Sequence, residues 1–333
     1  MQLAVRNFIM LIITNGDSAV GAIQAAGIVA EMLPWRDVLH DGPVPANMNL
    51  ETLSEVRARY IAGCGWGEVD AVWQGFRTRD ARLATFEDHE EVVLWFEHDL
   101  YDQLQLLQLL HWFSSQSLGR TQLSLICHAR FIAVCTSEAL KKHFDERTLV
   151  TQSQLELGVQ GWKSFCGADP GGLVALCEAD TSALPYLKPA LIRLLEEYPD
   201  RQNGLSRSEQ QILSLVDSGI TQPGALFRAA QDLEEAAYLG DASFWLYIQG
   251  LMQGDQPLLV CRTGLPFRLP APPFPDQAFN RQTLRLTEAG RRVMDGKVDW
   301  MHIHPVDKWL GGVHLNGRTP WRWDRTTRRL VGL

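Results

Sequence analysis

The chain has 333 residues, 46% hydrophobic and 21% charged, with 39 acidic against 31 basic side chains and a formal net charge of −8. That composition excludes a disordered chain, and the acidic balance argues against a protein that coats nucleic acid or anionic membrane by bulk electrostatics. No stretch approaches the ~18 apolar residues that a membrane span needs, and the length predicts more than one folded unit.

The charge is uneven: residues 1–203 hold 16 Lys+Arg against 26 Asp+Glu, residues 204–296 hold 8 against 10, and residues 297–333 hold 7 against 3. Only the basic tail offers a local candidate for a phosphate-rich partner. The six cysteines (Cys64, Cys127, Cys135, Cys166, Cys177, Cys261) form no Cys-x-x-Cys and no zinc-like spacing to histidine. Phe8–Ile13 is a short apolar run broken by Thr14-Asn15-Gly16, with no small-residue cleavage site after it, so no signal peptide is expected. The expected setting is soluble, reducing and cytoplasmic.

In chain order, residues 8–14 read as a buried strand and 18–26 as a short helix ending at Gly27. Val29–Leu33 is a second strand, followed by Pro34-Trp35-Arg36-Asp37 and the loop His40-Asp41-Gly42-Pro43-Val44-Pro45. Helical stretches at 51–62 and 68–86 lead to strand 91–96, a Leu-rich helix over 100–113 and strand 121–127, with an α-rich piece over 136–165. Strands alternating with helices predict an α/β, Rossmann-like parallel sheet with helical crossovers over 8–165. Residues 166–203 read as a helical linker, with a helix at 186–198 ending at Pro199. Ser206 with Glu209 three positions on is a capping box. It opens a first helix, and helices at about 222–237 and 241–250 follow. With Leu258–Arg262 and Gln282–Leu286 as a two-stranded wing around the Pro-rich loop Leu265–Gln277, residues 204–296 read as a winged-helix-like region. The tail, 297–333, carries Trp300, Trp309, Trp321 and Trp323 with turn residues Gly311-Gly312 and Asn316-Gly317, and reads as a β-rich cap.

Two strand ends carry polar clusters: Asn15-Gly16-Asp17-Ser18 and Glu97-His98-Asp99. In open α/β sheets ligands bind outside the carboxyl ends of the strands. Asp17 is a candidate acid or an N-cap for the helix behind it. Gly16 lets backbone come close to a ligand, and the helix N-terminus attracts an anion. His98 beside Glu97 and Asp99 is a candidate general acid/base, with a structural His–Asp bond as the competing reading. Asp99 is also a natural N-cap, with Gln103 one turn on. Arg36, Asp37 and His40 follow the second strand, where Arg36 is suited to clamp an anion or to pair with Asp17 or Asp99. Arg57, Arg59, Arg77, Arg79 and Arg82 read mostly as solvated surface.

Other motifs are weaker. Neither a P-loop nor a Gly-x-Gly-x-x-Gly after a strand is present. His302-x-His304, expected on one face of a strand with His314 as third candidate, specifies no metal set, and no cofactor is indicated. Trp321-Arg322-Trp323 would stack a base or serve as packing. Gly16-Asp17-Ser18 resembles the opening block of the Gly-Asp-Ser lipase/esterase family, with Asp299-Trp300-Met301-His302 as a formal match to its closing Asp-x-x-His. Ala19 stands where leucine is usual, and the family's intermediate Gly and Asn blocks are absent.

Three blocks taken together, Ile13–Ser18, Leu33–Pro43 and Leu94–Leu100, resemble a bacterial family called domain of unknown function 1835, over roughly residues 10–165. The tail blocks Asp307–Leu315 and Trp321–Asp324 resemble longer members of that family with a helix-turn-helix-like region. The resemblance implies a domain boundary and marks positions, among them His314 in preference to Asp299-x-x-His302, and implies no particular reaction.

The expected function is an enzyme, a hydrolase or transferase, or a ligand-binding protein acting on an anionic, phosphate- or nucleotide-like small molecule. Its site would use His98, Asp17, Glu97, Asp99 and Ser18, with Asn15, Gly16, Arg36, Asp37, His40, Gln103, His314 and Arg322 binding the ligand. The alternative is a ligand-sensing regulator whose winged helix reads nucleic acid or a protein. Arg228 with Asp232, Glu234 and Glu235 gives that recognition helix a poor face for phosphates.

Overall fold

The computed structural model describes residues 9–271, 276–317 and 320–332. The chain divides into two units, Met1–Leu191 with Trp309–Val313, and Ile192–Lys308 with His314–Leu333.

In the first unit, β1 (Met10–Thr14), β2 (Glu31–Pro34), β4 (Glu91–Glu97) and β5 (Gln122–His128) are parallel, in the order β2-β1-β4-β5, with β6 (Thr148–Leu149) antiparallel at the far edge. Helices connect them: α1 (Asp17–Ala25), α2 (Leu50–Gly63) and α3 (Val69–Ala84), α4 (Leu100–Phe113), and α5 (Ser137–Asp145). The strands are continuous apolar runs because both faces are covered. Ile12, Val93, Trp95 and Ile126 meet Ala19 and Ile23 of α1 and Leu140 of α5 on one face. Each fully buried aliphatic side chain there contributes roughly 1.5–3 kcal/mol. α6 (Gln152–Cys166) lies against α4, and its Gly158 and Gly161 leave room for Leu110 and Leu107, which a Cβ would meet at 2.4 and 2.6 Å. The α-rich stretch expected over 136–165 is therefore two helices around the edge strand β6. A two-residue strand carries no periodicity to read.

The expected linker 166–203 is packed structure. α7 (Gly171–Glu178) buries Leu173 and Leu176, and α8 (Leu187–Leu195) buries Leu187, Leu191 and Leu194, with the unit boundary inside it. β3 (Gly42–Pro43) pairs in parallel with β9 (Val306–Gly311), so the chain returns to the first unit at 309–313; β10 (Val313–Gly317) follows in the order β10-β9-β3. Gly311 and Gly312, expected as turn residues, sit at the turn from β9 to β10, Gly311 with φ 61°, and also permit close approach: a Cβ on Gly312 would sit 1.8 Å from the Cys166 carbonyl oxygen.

The second unit opens with α9 (Arg207–Asp217), whose Ser206–Glu209 capping box is formed as expected. α10 (Pro223–Gln231) and α11 (Asp241–Leu251) follow, then β7 (Leu259–Cys261) antiparallel to β8 (Leu284–Leu286), with α12 (Gln277–Asn280) between them. This is the helix, helix, helix, wing order of the sequence reading. Residues 272–275 of the Pro-rich loop lie outside the described residues. The helix expected over 222–237 stops at Gln231 because Glu234 turns inward to Arg193 (2.7 and 2.8 Å) and Glu235 to Arg207 (2.6 Å). Those carboxylates are therefore not on the face of α10. α13 (Glu288–Met294) and α14 (Trp300–Ile303) precede the tail, where β11 (Trp321–Asp324) and β12 (Arg329–Gly332) pair antiparallel. The stretch 302–304, expected as a strand, is the end of α14, where the His304 ring stacks on Trp300 at 4.6 Å.

Candidate functional site

β1 is followed by a connection to β2 on one side, whereas β4 is followed by one to β5 on the other. The chain thus changes direction between β1 and β4, and a doubly wound sheet opens its crevice at the carboxyl ends of such a pair. Both polar clusters of the sequence lie there.

Glu97 closes β4, and its Oε1 accepts from the Ile132 backbone N–H at 2.5 Å. Asp99 is the N-cap of α4, accepting from the Asp102 N–H at 3.2 Å. Asp102, one turn into α4, is folded back on the strand end. Its Oδ1 accepts from the Glu97 N–H at 2.7 Å, and its two oxygens accept from the Asn15 amide at 3.2 and 2.9 Å. Gln103 fixes the same corner, donating to the Glu97 carbonyl at 2.7 Å. One oxygen from each of Glu97, Asp99 and Asp102 lies within 4.8 Å of the others, and all three residues are buried.

Among the described residues none of the three carboxylates forms an ion pair. Burial pushes the Glu97 carboxyl up; burial and then the Glu97 charge push Asp99 up to about 7. Burial, Asp99 and Glu97 together push Asp102 well above the carboxylate range, against the hydrogen bond from Asn15. Like charges held this close retain a proton or take up a cation. Thr14 pairs with Trp95 across the sheet, so it shares a face with Glu97. Its Oγ1 is buried and without a hydrogen-bond partner.

Beside this cluster, α1 begins without a side-chain cap. Gly16 is its N-cap in an extended conformation, a Cβ there would meet nothing within 4 Å, and Asp17 and Ser18 are exposed. Asp17 is therefore the first helical residue rather than the cap. Arg36 holds it by two hydrogen bonds, Nε at 2.8 Å and Nη2 at 2.5 Å, in the open: the side chains are 59% and 70% exposed. Arg36 does so from a left-handed backbone conformation (φ 54°) that a non-glycine residue adopts only at a cost. The Arg36 hydrogen bond holds the Asp17 carboxyl below its ordinary value.

The other expected site residues are placed differently. His98 makes no hydrogen bond to a carboxylate among the described residues, so neither the oriented acid/base pair nor the structural His–Asp bond is formed. It is half-buried between the rings of Phe131 (5.3 Å) and Tyr186 (6.0 Å), and burial pushes its pKa down. Asp37 and His40 are buried. Asp37 accepts from Arg57 at 2.9 Å, and the same guanidinium ties the loop carbonyls of Val38, Asp41 and Pro43. Arg57 and Arg79, expected on the surface, are buried, Arg79 stacking on Trp35 at 3.8 Å. In the second unit, His314 contacts Asp307 at 2.7 Å, and Arg322 is buried on Asp299 at 2.8 Å. Asp299 also caps α14, so its carboxylate is committed to Arg322 and a helix end, not to His302.

Asp102 lies outside the strand-end clusters that the sequence marks as candidates. Asp99-x-x-Asp102 has the spacing of a capping box, which is the signal that marks it. No family model matches the chain, and no curated protein matches it.

Proposed function

We propose that the switch point binds a divalent cation on Glu97, Asp99 and Asp102 and, through it, an anionic small molecule of the phosphate class. The ligand's charged group lies over the first turn of α1, within reach of Arg36. The observation that carries this reading is the buried trio of carboxylates without an ion pair. Two features beside it support the reading independently: the uncapped α1 with open space before Gly16, and the unpartnered Thr14 hydroxyl on the face of Glu97.

The electrostatics follow in order. Carboxylate oxygens suit a hard cation such as Mg²⁺, Mn²⁺ or Ca²⁺. With one carboxyl protonated, a divalent ion neutralises the other two. The free N–H groups of α1 then supply the positive end of a helix dipole to an anion, and Arg36, already exposed, exchanges Asp17 for the ligand. Asn15 joins the halves: its side chain holds Asp102, and its backbone leads directly into Gly16.

The test is calorimetric titration of MnCl₂ into the full chain stripped of metal, repeated with Asp102→Asn. Inorganic phosphate is then titrated with and without Mn²⁺. Saturable cation binding that Asp102→Asn abolishes, and phosphate binding that needs the cation, are the expected results. Absence of cation binding, or equal binding by the variant, overturns the reading.

A further inference from the structure

A cavity of about 290 Å³ opens at the carboxyl end of β5, lined among others by Gln103, Cys127, His128, His143, Gln154 and Tyr186. It shares a wall with the carboxylate cluster. Gln103, which lines it, donates to the Glu97 carbonyl, and the Cys127 thiol lies 3.5 Å from that same oxygen. We propose that this cavity holds an uncharged planar ring with hydrogen-bonding edges, of the nucleobase type, so that the ligand of the switch point is a nucleotide. This rests on the cation and phosphate reading above and names the rest of that ligand.

Three observations give the class. First, no lysine or arginine lines the cavity, so it is not built for a second anion. His128 does not supply a positive charge either. Trp95 Nε1 donates to its Nε2 at 3.3 Å, and burial and then the neighbouring His143 hold its pKa down to about 4. Second, part of the lining is flat and conjugated, beside the aliphatic Leu125, Ile126, Leu184 and Pro185. The His128 and His143 rings are stacked 4.1 Å apart with an interplanar angle of 20°, and Tyr186 adds a third ring. Rings of this kind stack on a heteroaromatic face whatever its sequence of ring atoms. Amides at Gln103 and Gln154 and the carboxylate of Glu146 furnish polar edges.

Third, the volume is at the foot of the range of small-molecule pockets, which begins at about 300 Å³. It has room for one ring system with its polar edges. A lining with Glu146 and without lysine or arginine leaves the charged part of the ligand outside, and the adjoining switch point is where a phosphate is expected.

The test separates the two readings. Adenosine, guanosine, cytidine and uridine, which carry no phosphate, are titrated into the full chain without metal, followed by the matching monophosphates with Mn²⁺. At least one nucleoside is expected to bind, with its monophosphate about tenfold tighter or more. His143→Ala, on the half-exposed last turn of α5, and Ala183→Phe, which fills the cavity, are expected to weaken nucleoside binding about tenfold while Mn²⁺ binding is retained. Mn²⁺ binding by the wild type without any nucleoside binding at millimolar concentration overturns the ring site and leaves the cation site standing. Nucleoside binding unaffected by both variants overturns it equally. Nucleoside binding without Mn²⁺ binding upholds the ring site and overturns the cation reading.

Discussion

The side-chain amide of Asn15, the first residue after β1, reaches both carboxylate oxygens of Asp102 in the first turn of α4, at 3.2 and 2.9 Å. That amide and the backbone N–H groups of Ile132, Asp102 and Glu97 still leave all three carboxyls above their ordinary pKa, so without metal the cluster opposes folding at neutral pH. Asp102→Asn keeps the shape, keeps an oxygen to accept from the Glu97 N–H, and removes the carboxyl whose ionisation burial and its neighbours oppose most. The variant is expected to be more stable than the wild type near neutral pH by about 1–2 kcal/mol without metal. It is also expected to lose the added stability that Mn²⁺ gives the wild type. Urea denaturation with and without Mn²⁺ reads both effects. A less stable variant that still responds to Mn²⁺ would show the cluster to be a hydrogen-bonded staple.

Arg36 tests the anion half separately. Its ion pair with Asp17 is exposed, and such pairs are worth roughly 0–1 kcal/mol. Its left-handed backbone costs about 1–2 kcal/mol in a non-glycine residue. Arg36→Gly is therefore expected to fold with an unchanged or higher Tm and to lose phosphate binding while keeping Mn²⁺ binding. A lower Tm in thermal melts, with phosphate affinity intact, would assign Arg36 to the fold alone.

The sequence made the switch point legible because buried parallel strands read as uninterrupted apolar runs, so polar clusters at their ends stand out in Asn15–Ser18 and Glu97–Asp99. Asp102 was hidden by its setting: it sits in a Leu-rich helix where a single acid reads as solvated surface. Asp37 and His40 look like ligands from their position, but the salt bridge that buries Asp37 comes from Arg57, and helix amphipathicity does not say which arginine turns inward. His128 and His143 meet only because α5 returns across the end of β5. The second unit was legible where the signal is local, as in the capping box Ser206–Glu209. It was not legible where a long-range partner decides, as when Glu234 leaves the helix for Arg193.

The Gly311-Gly312 pair of the tail gives a packing prediction. A methyl group on Gly312 meets the Cys166 carbonyl oxygen at 1.8 Å, and backbone does not yield as a side chain does. Gly312→Ala is expected to destabilise the first unit by about 2 kcal/mol or more and to expose 306–317 to proteases. Gly21→Ala, in the middle of α1 with open space around it, is the control. It is expected to raise stability by about 0.5–1 kcal/mol through helix propensity. Equal proteolysis of both variants would show that the tail strand docks without that close contact.

The acid limb of stability is expected to come from Glu197 in the second unit. Burial opposes its ionisation, but the charges of Arg193 and Lys308 and the hydrogen bond from Ser208 outweigh burial and hold its pKa down to about 2, from the usual 4.5. Arg193 lies 2.7 Å from Oε1, the Ser208 hydroxyl donates to the same oxygen at 2.6 Å, and the Tyr247 hydroxyl donates to Oε2 at 3.0 Å. A carboxyl with a folded-state pKa below its unfolded value stabilises the fold above the unfolded pKa. That contribution drains away as pH falls towards the folded one. The window is therefore from about pH 4.5 down to about 2, and the full shift corresponds to about 3 kcal/mol. Glu197→Gln is expected to be less stable at pH 7 by up to that order, with the gap to wild type closing across the window. Calorimetric melts at stepped pH read the gap directly, and a gap independent of pH would place the loss in packing rather than in the charge of Glu197.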